Sequence, residues 1–449
     1  MKKFIKTLKN IWSIEELRNK ITFTLALIFI YIVGTHIVLP GIDPNALNEL
    51  MKNNSKSSEG LLGLLNTFVG GSFNRASIFA LGIMPYISAS IFMQLMTILV
   101  PQIAKIQKEG ESGRKKINQW TRYLTVGVTA FQAIAYISFL TTQYGSAIIP
   151  AFGAAFFKLS TVIILTVGTL FVMWLGEKIT DKGLGNGTSI IIMIGILGRL
   201  PQAIFQEWAA RTTRGAGGLL IMLIEIVFLI AVIMGLIMLI QGTRRVPVNY
   251  AKQIVGNRQF GGARNFLPLK VNASGVMPII FAQAILFLIA FITGLGKTNQ
   301  SSFLNDHTNP WYMLIYSVAV IAFTFLYTAL IFNPKQMADE LKRNNGFIPG
   351  VKPGQPTADY IGTIMDRITL PGAVLLALVG ILPGICQVAF VQMQQGFSTF
   401  FGGTSLLIMV GVILDTLQQI ETQLLMRQYD GLMSSGRIQG RQTATSSTM

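Results

Sequence analysis

The sequence has few of the residues that build disulfides, metal centres and hydrolytic sites. Its 449 residues include one cysteine, Cys386, and two histidines, His36 and His307. These residues are too few for a disulfide framework or for a Cys/His metal cluster. No HExxH motif and no nucleophile elbow occurs, and the GLGKT stretch at 294–298 lacks the first glycine of a phosphate loop. We therefore predict a protein that is not an enzyme and that needs no cofactor.

Charged residues are also scarce. They make up 12% of the chain, while 51% of the residues are apolar. A soluble domain carries roughly twice that share of charge. Within this small set, 36 Lys and Arg residues stand against 19 acidic residues, for a net charge of +17. The composition predicts an integral membrane protein whose positive charge is confined to a few loops.

Ten apolar segments are long enough to cross a bilayer as helices, which takes roughly 20 residues each. They cover residues 21–39, 76–100, 121–141, 156–176, 188–206, 217–241, 272–295, 311–333, 368–391 and 403–424. If the N-terminus is cytoplasmic, 28 of the 36 Lys and Arg residues lie in cytoplasmic segments. That asymmetry is what the positive-inside rule requires, so both termini are predicted to be cytoplasmic.

The spans divide the chain into two halves of five. We predict an amphipathic cytoplasmic helix at 1–20, an N-terminal half at 21–206, a C-terminal half at 207–424 and a cytoplasmic tail at 425–449. In the first segment Phe4, Leu8, Ile11 and Trp12 fall on one helical face among lysines. Because five is odd, the second half enters the membrane from the opposite side. This permits an inverted repeat with a site or pore between the halves.

A short apolar segment precedes the second span. Leu61 to Val69 is only nine residues, about 14 Å as a helix, and Gly70-Gly71 ends it. That length cannot cross a hydrocarbon core of about 30 Å. We predict a re-entrant segment at 61–73; the alternative is a surface loop with an apolar turn.

Three acidic residues fall inside predicted spans: Glu225, Asp415 and Glu421. Intramembrane carboxylates are candidate functional groups, and a proton-coupled secondary transporter would use them. Glu421 is near a span end, and Glu225 has no evident partner in the sequence. A structural role is therefore favoured over a proton relay, and the transporter stays open as an alternative.

Two cytoplasmic loops are longer than a connection between spans requires. The first, 242–270, carries six basic residues and no acidic residue, with Tyr250 and Phe260 among them. The second, 334–366, contains the Pro/Gly tract Phe347–Pro356. Long loops are often functional, and a basic loop with aromatic residues suits an anionic partner such as RNA or an acidic protein face. The alternative is contact with anionic lipids.

Six stretches of the sequence match a known pattern: RASIFALGIMPYISASIFMQLM at 75–96, GLGNGTSIII at 183–192, VNYAK at 248–252, LPLKVN at 267–272, FIPGVKPG at 347–354 and GGTSLL at 402–407. Together they resemble the SecY family of protein-translocation channels. The resemblance covers residues from about 15 to 430. It implies an all-α membrane protein with ten transmembrane helices in two inverted five-helix halves around a central pore, and a short re-entrant plug helix.

The resemblance also implies roles for individual residues. It places a pore ring at Ile83, Ile87, Ile192, Ile280 and Ile408. It places the plug at Leu61, Leu62, Leu64, Leu65, Phe68, Gly70 and Gly71. It places a lateral gate between the second and seventh spans, at Pro85, Ser88, Phe92, Gln283 and Leu288. Docking of the motor ATPase SecA or of the ribosome is assigned to Arg244, Arg245, Lys252, Arg258 and Lys352.

The function implied by the resemblance is a passive protein-conducting channel in the bacterial plasma membrane. Its substrates would be signal-bearing unfolded preproteins, with transmembrane segments released sideways into lipid. The implied partners are the SecE and SecG subunits, SecA, the ribosome and its RNA, and anionic lipids. The residues alone leave two alternatives open, a secondary transporter and a purely structural membrane scaffold.

Overall fold

The computed structural model describes residues 12, 14–53, 69–149, 153–213, 216–250, 253–255, 258–260, 264–283, 286, 309–390 and 393–434. Its α-helices are α1 Glu15–Gly34, α2 Pro44–Asn53, α3 Met84–Leu99, α4 Pro101–Lys108, α5 Glu111–Gln143, α6 Ala154–Lys182, α7 Gly187–Thr212, α8 Ala216–Gln241, α9 Pro310–Ile331, α10 Pro334–Arg343, α11 Gln355–Ala389, α12 Gln395–Ser398 and α13 Gly403–Ser434. Its strands are β1 Thr243–Tyr250, β2 Gln253–Val255, β3 Arg258–Phe260, β4 Arg264–Lys270 and β5 Gly346–Phe347.

The described chain is mainly helical, which confirms the predicted α-helical class of membrane protein. Eight helices are long and apolar enough to cross a membrane, and the bent pair Met84–Thr97 and Pro101–Gln107 makes a ninth if it counts as one span. Of the predicted seventh span, 272–295, residues 272–276 form turns and bends, residues 277–283 and 286 are helical, and the rest lies outside the described residues.

Helices at both ends of the chain extend past the predicted spans. The predicted N-terminal helix at 1–20 lies mostly outside the described residues, and the part described from Glu15 continues without a break into the first span as α1. At the other end, α13 runs to Ser434 and takes in the start of the predicted tail. The apolar run alone marks the membrane-crossing part of each helix, because polar turns at its ends carry no hydropathy signal.

The predicted helix at 76–100 was wrong in its first eight residues. Helix α3 begins only at Met84, and residues 69–83 form a chain of turns. Ala76 and Gly82 have φ values of +47° and +54°, which a right-handed helix does not allow. The backbone here bonds outside any helix: the Ile78 N–H donates to the Ile37 carbonyl at 2.9 Å, and the Leu39 N–H donates to the Ala76 carbonyl at 2.8 Å. Buried irregular backbone at membrane depth requires such internal partners.

A sharp bend follows α3. Helices α3 and α4 meet at an angle of 103°. Val100, between them, is extended with φ −109° and ψ 108°, and Pro101 begins α4. The residue before a proline is disfavoured in helical conformation, so the sequence itself places the bend here.

Strands from the two long loops, 242–270 and 334–366, form one small sheet, which the prediction of an all-α class did not include. Strand β1 pairs antiparallel with β4 from Thr243 opposite Lys270 to Asn249 opposite Arg264. Strand β5, from the second loop, pairs with the other edge of β1. A satellite core fixes the sheet to α11, through the buried residues Val246, Val248, Leu269, Ile348, Ile361 and Met365. Alternating β-branched residues in VPV at 246–248 fit this half-buried strand.

Candidate functional site

The five isoleucines predicted as a ring lie in one apolar cluster. Ile83, Ile192 and Ile408 are buried, and Ile87 and Ile280 are partly buried against the same cluster. These residues come from four segments that are far apart in the sequence. All of them lie near a helix start: at the N-cap and first turn of α3, early in α7, in the helical segment from 277 and early in α13. The fold therefore gathers β-branched, non-hydrogen-bonding side chains where several helices begin.

Val69 belongs to this same cluster, a contact that the prediction of a re-entrant segment at 61–73 did not include. Its side chain is 3% exposed. It lies against the backbone of Gly82, where an added Cβ would stand 2.8 Å from the Val69 Cγ1. Val69 thus packs beside Ile83, at the point where the turn segment enters the cluster. Its position as the last apolar residue before a glycine pair is a signal that could have identified it.

The glycine pair after Val69 is held in a conformation that suits only glycine. Gly70 and Gly71 have φ values of +67° and +84°. A Cβ on Gly70 would stand 3.1 Å from the Cα of Gly195 in α7, so the two backbones touch there. Both the angle and the close approach require the absence of a side chain. The other predicted plug residues, Leu61, Leu62, Leu64, Leu65 and Phe68, lie outside the described residues.

Helix α3 contacts the seventh span through a second, smaller apolar cluster. Its buried members are Ile91 of α3, Phe281 of the seventh span and Tyr327 of α9. Partly buried residues of the same three elements complete it: Ile87, Leu95, Met277, Ile280 and Phe323. The Tyr327 hydroxyl donates to Gln94 Oε1 at 3.0 Å, which adds a polar link between α9 and α3. An interface held by apolar contacts and few polar bonds can separate without leaving many unpaired groups.

The predicted gate residues lie around this contact in different ways. Pro85 is in the first turn of α3, and Ser88 donates its hydroxyl to a carbonyl of its own helix at 3.1 Å. Phe92 is 46% exposed, on the outer surface of α3. Gln283 accepts a hydrogen bond from a threonine near the start of α13 at 3.4 Å, so its bonded partner is not in α3. Leu288 lies outside the described residues, and the gate assignment stays a prediction.

The predicted docking residues share one face of the fold only in part. Arg244 and Arg245 lie in β1 with exposed side chains, and Lys352 is exposed in the second loop. Because β5 pairs with β1, the structure brings the two loops together although about a hundred residues separate them. Arg258 lies in β3, of which only the backbone is described, and Lys252 lies outside the described residues. Cationic side chains held on a small sheet suit contact with an anionic surface.

Glu225, for which the sequence showed no evident partner, pairs with a buried arginine. Arg211 Nε donates to Glu207 Oε1 at 2.7 Å, and its Nη2 donates to Glu225 Oε1 at 2.5 Å. All three side chains are buried. The second Glu207 oxygen accepts from the Gln394 N–H at 2.8 Å. We call Glu207, Arg211 and Glu225 the buried charge triad; it ties α7 to α8 and to the segment before α12.

The other intramembrane acids are in a different environment. Asp415 and Glu421 are both exposed on α13. Within the described part of the chain, no group of three or more His, Cys, Asp or Glu residues could hold a metal ion. The described acidic residues thus offer one buried, ion-paired carboxylate centre instead of a chain of carboxylates across the membrane.

Comparison with known proteins gives one consistent answer. The family model described as SecY matches residues 77–417. The protein translocase subunit SecY of Thermus thermophilus is 41% identical over 445 residues, covering 97% of this chain and 99% of that protein. A solved structure of a protein-conducting channel aligns with a TM-score of 0.62 at 14% identity, covering 93% of this chain and 94% of the other. The channel in a canine ribosome–channel complex from the endoplasmic reticulum aligns with a TM-score of 0.59 at 13% identity, covering 93% and 94%.

Proposed function

We propose, from the premise that this chain belongs to the SecY family, that it forms the protein-conducting channel of a translocase. Its substrates are unfolded polypeptides with an apolar signal, and membrane-spanning segments leave it sideways into lipid. The single observation that carries this is the apolar cluster of five isoleucines from four segments, closed by Val69 of an irregular buried segment. A multi-pass membrane protein that gathers aliphatic side chains from several helices against a buried irregular segment has parts that a gated pore would need.

The constriction works through the chemistry of its side chains. Aliphatic walls disfavour water and ions in a narrow pore. An isoleucine side chain forms no hydrogen bond with a passing polypeptide, so no particular substrate sequence binds tightly there. The polypeptide is driven from outside the channel, by SecA or by synthesis on the ribosome. The chain therefore acts as a passive conduit and not as an enzyme.

The side exit lies between α3 and the seventh span. The apolar cluster around Ile91 and Phe281 closes it. An apolar signal helix that enters there replaces the apolar contacts between the two helices with apolar contacts of its own. The signal helix also gains transfer free energy from the adjacent lipid. The gate opens because the signal binds the open state better than the closed one, and only that difference shifts the equilibrium.

Partners are assigned by surface and family. Related channel structures include a ribosome-bound complex. For this chain we assign SecA and the ribosome with its RNA to the exposed sheet that carries Arg244 and Arg245. SecE, SecG and anionic lipids complete the assembly in the bacterial plasma membrane. The excess of Lys and Arg in alternate loops supports an orientation with both termini in the cytoplasm.

A reversible crosslink tests the gate. In a Cys386→Ala background, Ile91→Cys and Phe281→Cys place two thiols in the same cluster. A short, reducible bis-methanethiosulfonate should join them and stop export of a preprotein into vesicles, and reduction should restore it. The matched control replaces the exposed neighbour Phe92 instead of Ile91, and should crosslink poorly. Efficient crosslinking of the first pair with undiminished export would refute the gate.

A further inference from the structure

Arg75 is the centre of a hydrogen-bond cluster that joins the turn segment 69–77 to the end of α1. Its Nη2 donates to the Gly70 carbonyl at 2.6 Å, and its Nε donates to the Gly71 carbonyl at 3.3 Å. Its Nη1 lies 2.7 Å from His36 Nε2. One guanidinium thus holds both glycine carbonyls of the positive-φ turn and one imidazole. His36 follows α1 and is exposed, so solvent reaches it.

The geometry determines the protonation state of His36 that this cluster accepts. A guanidinium only donates hydrogen bonds, so His36 Nε2 must carry a lone pair. His36 Nδ1 lies 2.9 Å from the Ile32 carbonyl, which only accepts, so Nδ1 must carry the proton. Both contacts are satisfied by one neutral tautomer. In a doubly protonated imidazole, Nε2 becomes a donor that faces a second donor.

A second positive charge beside Arg75 would meet no paired carboxylate among the described residues. Within the described part of the chain, no Asp or Glu forms an ion pair with Arg75. The charged and titratable groups that act on it from neighbouring elements are Tyr31 of α1 and Arg199 of α7, and the latter is also cationic. Protonation of His36 would place a new positive charge against Arg75.

We propose that His36 and Arg75 form a proton-sensitive latch that holds segment 69–77 in place and releases it when His36 becomes charged. Arg75 is a positioning residue: it fixes the Gly70-Gly71 turn, and the turn keeps Val69 against the isoleucine cluster. The inference rests on the proposed function only in that this segment closes the pore. The latch holds while the His36 imidazole is neutral and weakens when the imidazole carries a second proton.

Hydrogen exchange tests the latch without any transport reaction. The Ser77 and Ile78 amides bond to the Ser72 and Ile37 carbonyls and report whether the segment is in place. After correction for intrinsic exchange rates, we expect their protection factors in the full-length protein to fall about tenfold or more between pH 7.5 and pH 5, the loss expected when a hydrogen bond to a charged group fails. Amides in the middle of α11 should not change.

Variants separate the latch from other effects of pH. His36→Gln keeps an acceptor for Arg75 but does not titrate, so its protection factors should stay high at both pH values. His36→Lys should show low protection already at pH 7.5. A fall in His36→Gln as large as in the wild type, or no fall in the wild type, would overturn the proposal.

Ion leak separates the latch from the proposed channel. We expect vesicles that contain the wild type to leak chloride faster at an outer pH of 5 than at 7.5, and vesicles with His36→Gln to show no such increase. If protection falls as expected in the wild type but leak does not rise, the latch exists and the pore-closing role of the segment is wrong. If leak rises equally in wild type and His36→Gln, the channel stands and the latch does not.

Discussion

Replacing Arg211 should test the buried charge triad. Its guanidinium makes two charge-assisted hydrogen bonds, at 2.7 and 2.5 Å, to two fully buried carboxylates. Arg211→Met would leave both carboxylates buried with no cation. Removal of one partner from a buried ion pair costs about 3–5 kcal/mol. Two hydrogen bonds to charged groups, at about 1.5–3 kcal/mol each, give a similar total.

Glu225→Gln should be much milder. The amide oxygen can still accept from Arg211, and the repulsion between the two carboxylates disappears. We expect a loss of about 1 kcal/mol, because the retained bond to an amide oxygen is weaker than the bond to a carboxylate. Combining Arg211→Met with Glu207→Gln and Glu225→Gln should recover at least half of the stability lost in Arg211→Met, because no uncompensated charge remains.

Reversible unfolding in mixed dodecyl sulfate micelles measures these free energies, with the exposed Glu421→Gln as the control. A loss below about 1 kcal/mol for Arg211→Met, or equal losses for Arg211→Met and Glu225→Gln, would refute the reasoning from burial. An activity assay of Glu225→Gln distinguishes a channel from a transporter. A channel in which the triad has a structural role keeps its export activity, whereas a transporter with Glu225 as its proton carrier would lose its activity.

Three further predictions follow from the site. Gly70→Ala should destabilise the turn by about 1–2 kcal/mol, because Gly70 has a positive φ and contacts α7, and it should raise ion conductance in planar bilayers. The control Gly198→Ala has open space around it and should not raise the conductance. Tyr327→Phe removes the bond to α3, worth about 0.5–1.5 kcal/mol, and should increase export of preproteins with weakened signals; unchanged export would contradict its role at the gate. Arg244→Ala with Arg245→Ala should weaken ribosome binding and reduce its salt dependence in co-sedimentation; an unchanged salt slope would exclude this contact.

Hydropathy and charge predicted the membrane class and most of the spans, because both signals are local. The predicted spans 156–176, 188–206, 217–241 and 403–424 all fall within helices of the structure. The start of the second span was wrong because residues 76–83 are apolar but not helical. The positive φ of Ala76 goes with a long-range backbone hydrogen bond, from the Leu39 N–H to the Ala76 carbonyl. Composition does not predict such a bond.

Pairings across the fold were the other part that could not be predicted. Arg211 and Glu225 are fourteen residues apart, in different helices, and only the packing of α7 against α8 shows that they meet. Arg75 and His36 are 39 residues apart. The isoleucine positions came from family resemblance, since a single sequence does not distinguish an isoleucine that faces a pore from one that faces lipid.

The shared sheet has a mechanical consequence. Strand β4 ends at Lys270, and the helical part of the seventh span begins at 277, with Asn272 and Ser274 buried between them. Six intervening residues reach at most about 20 Å when fully extended, and buried ones have little slack. Since β5 is hydrogen-bonded to β1, a force on either long loop acts on one shared sheet. That sheet is joined by a short connection to the helix that we propose lines the lateral exit, so a force on the sheet would be transmitted to the contact between that helix and α3.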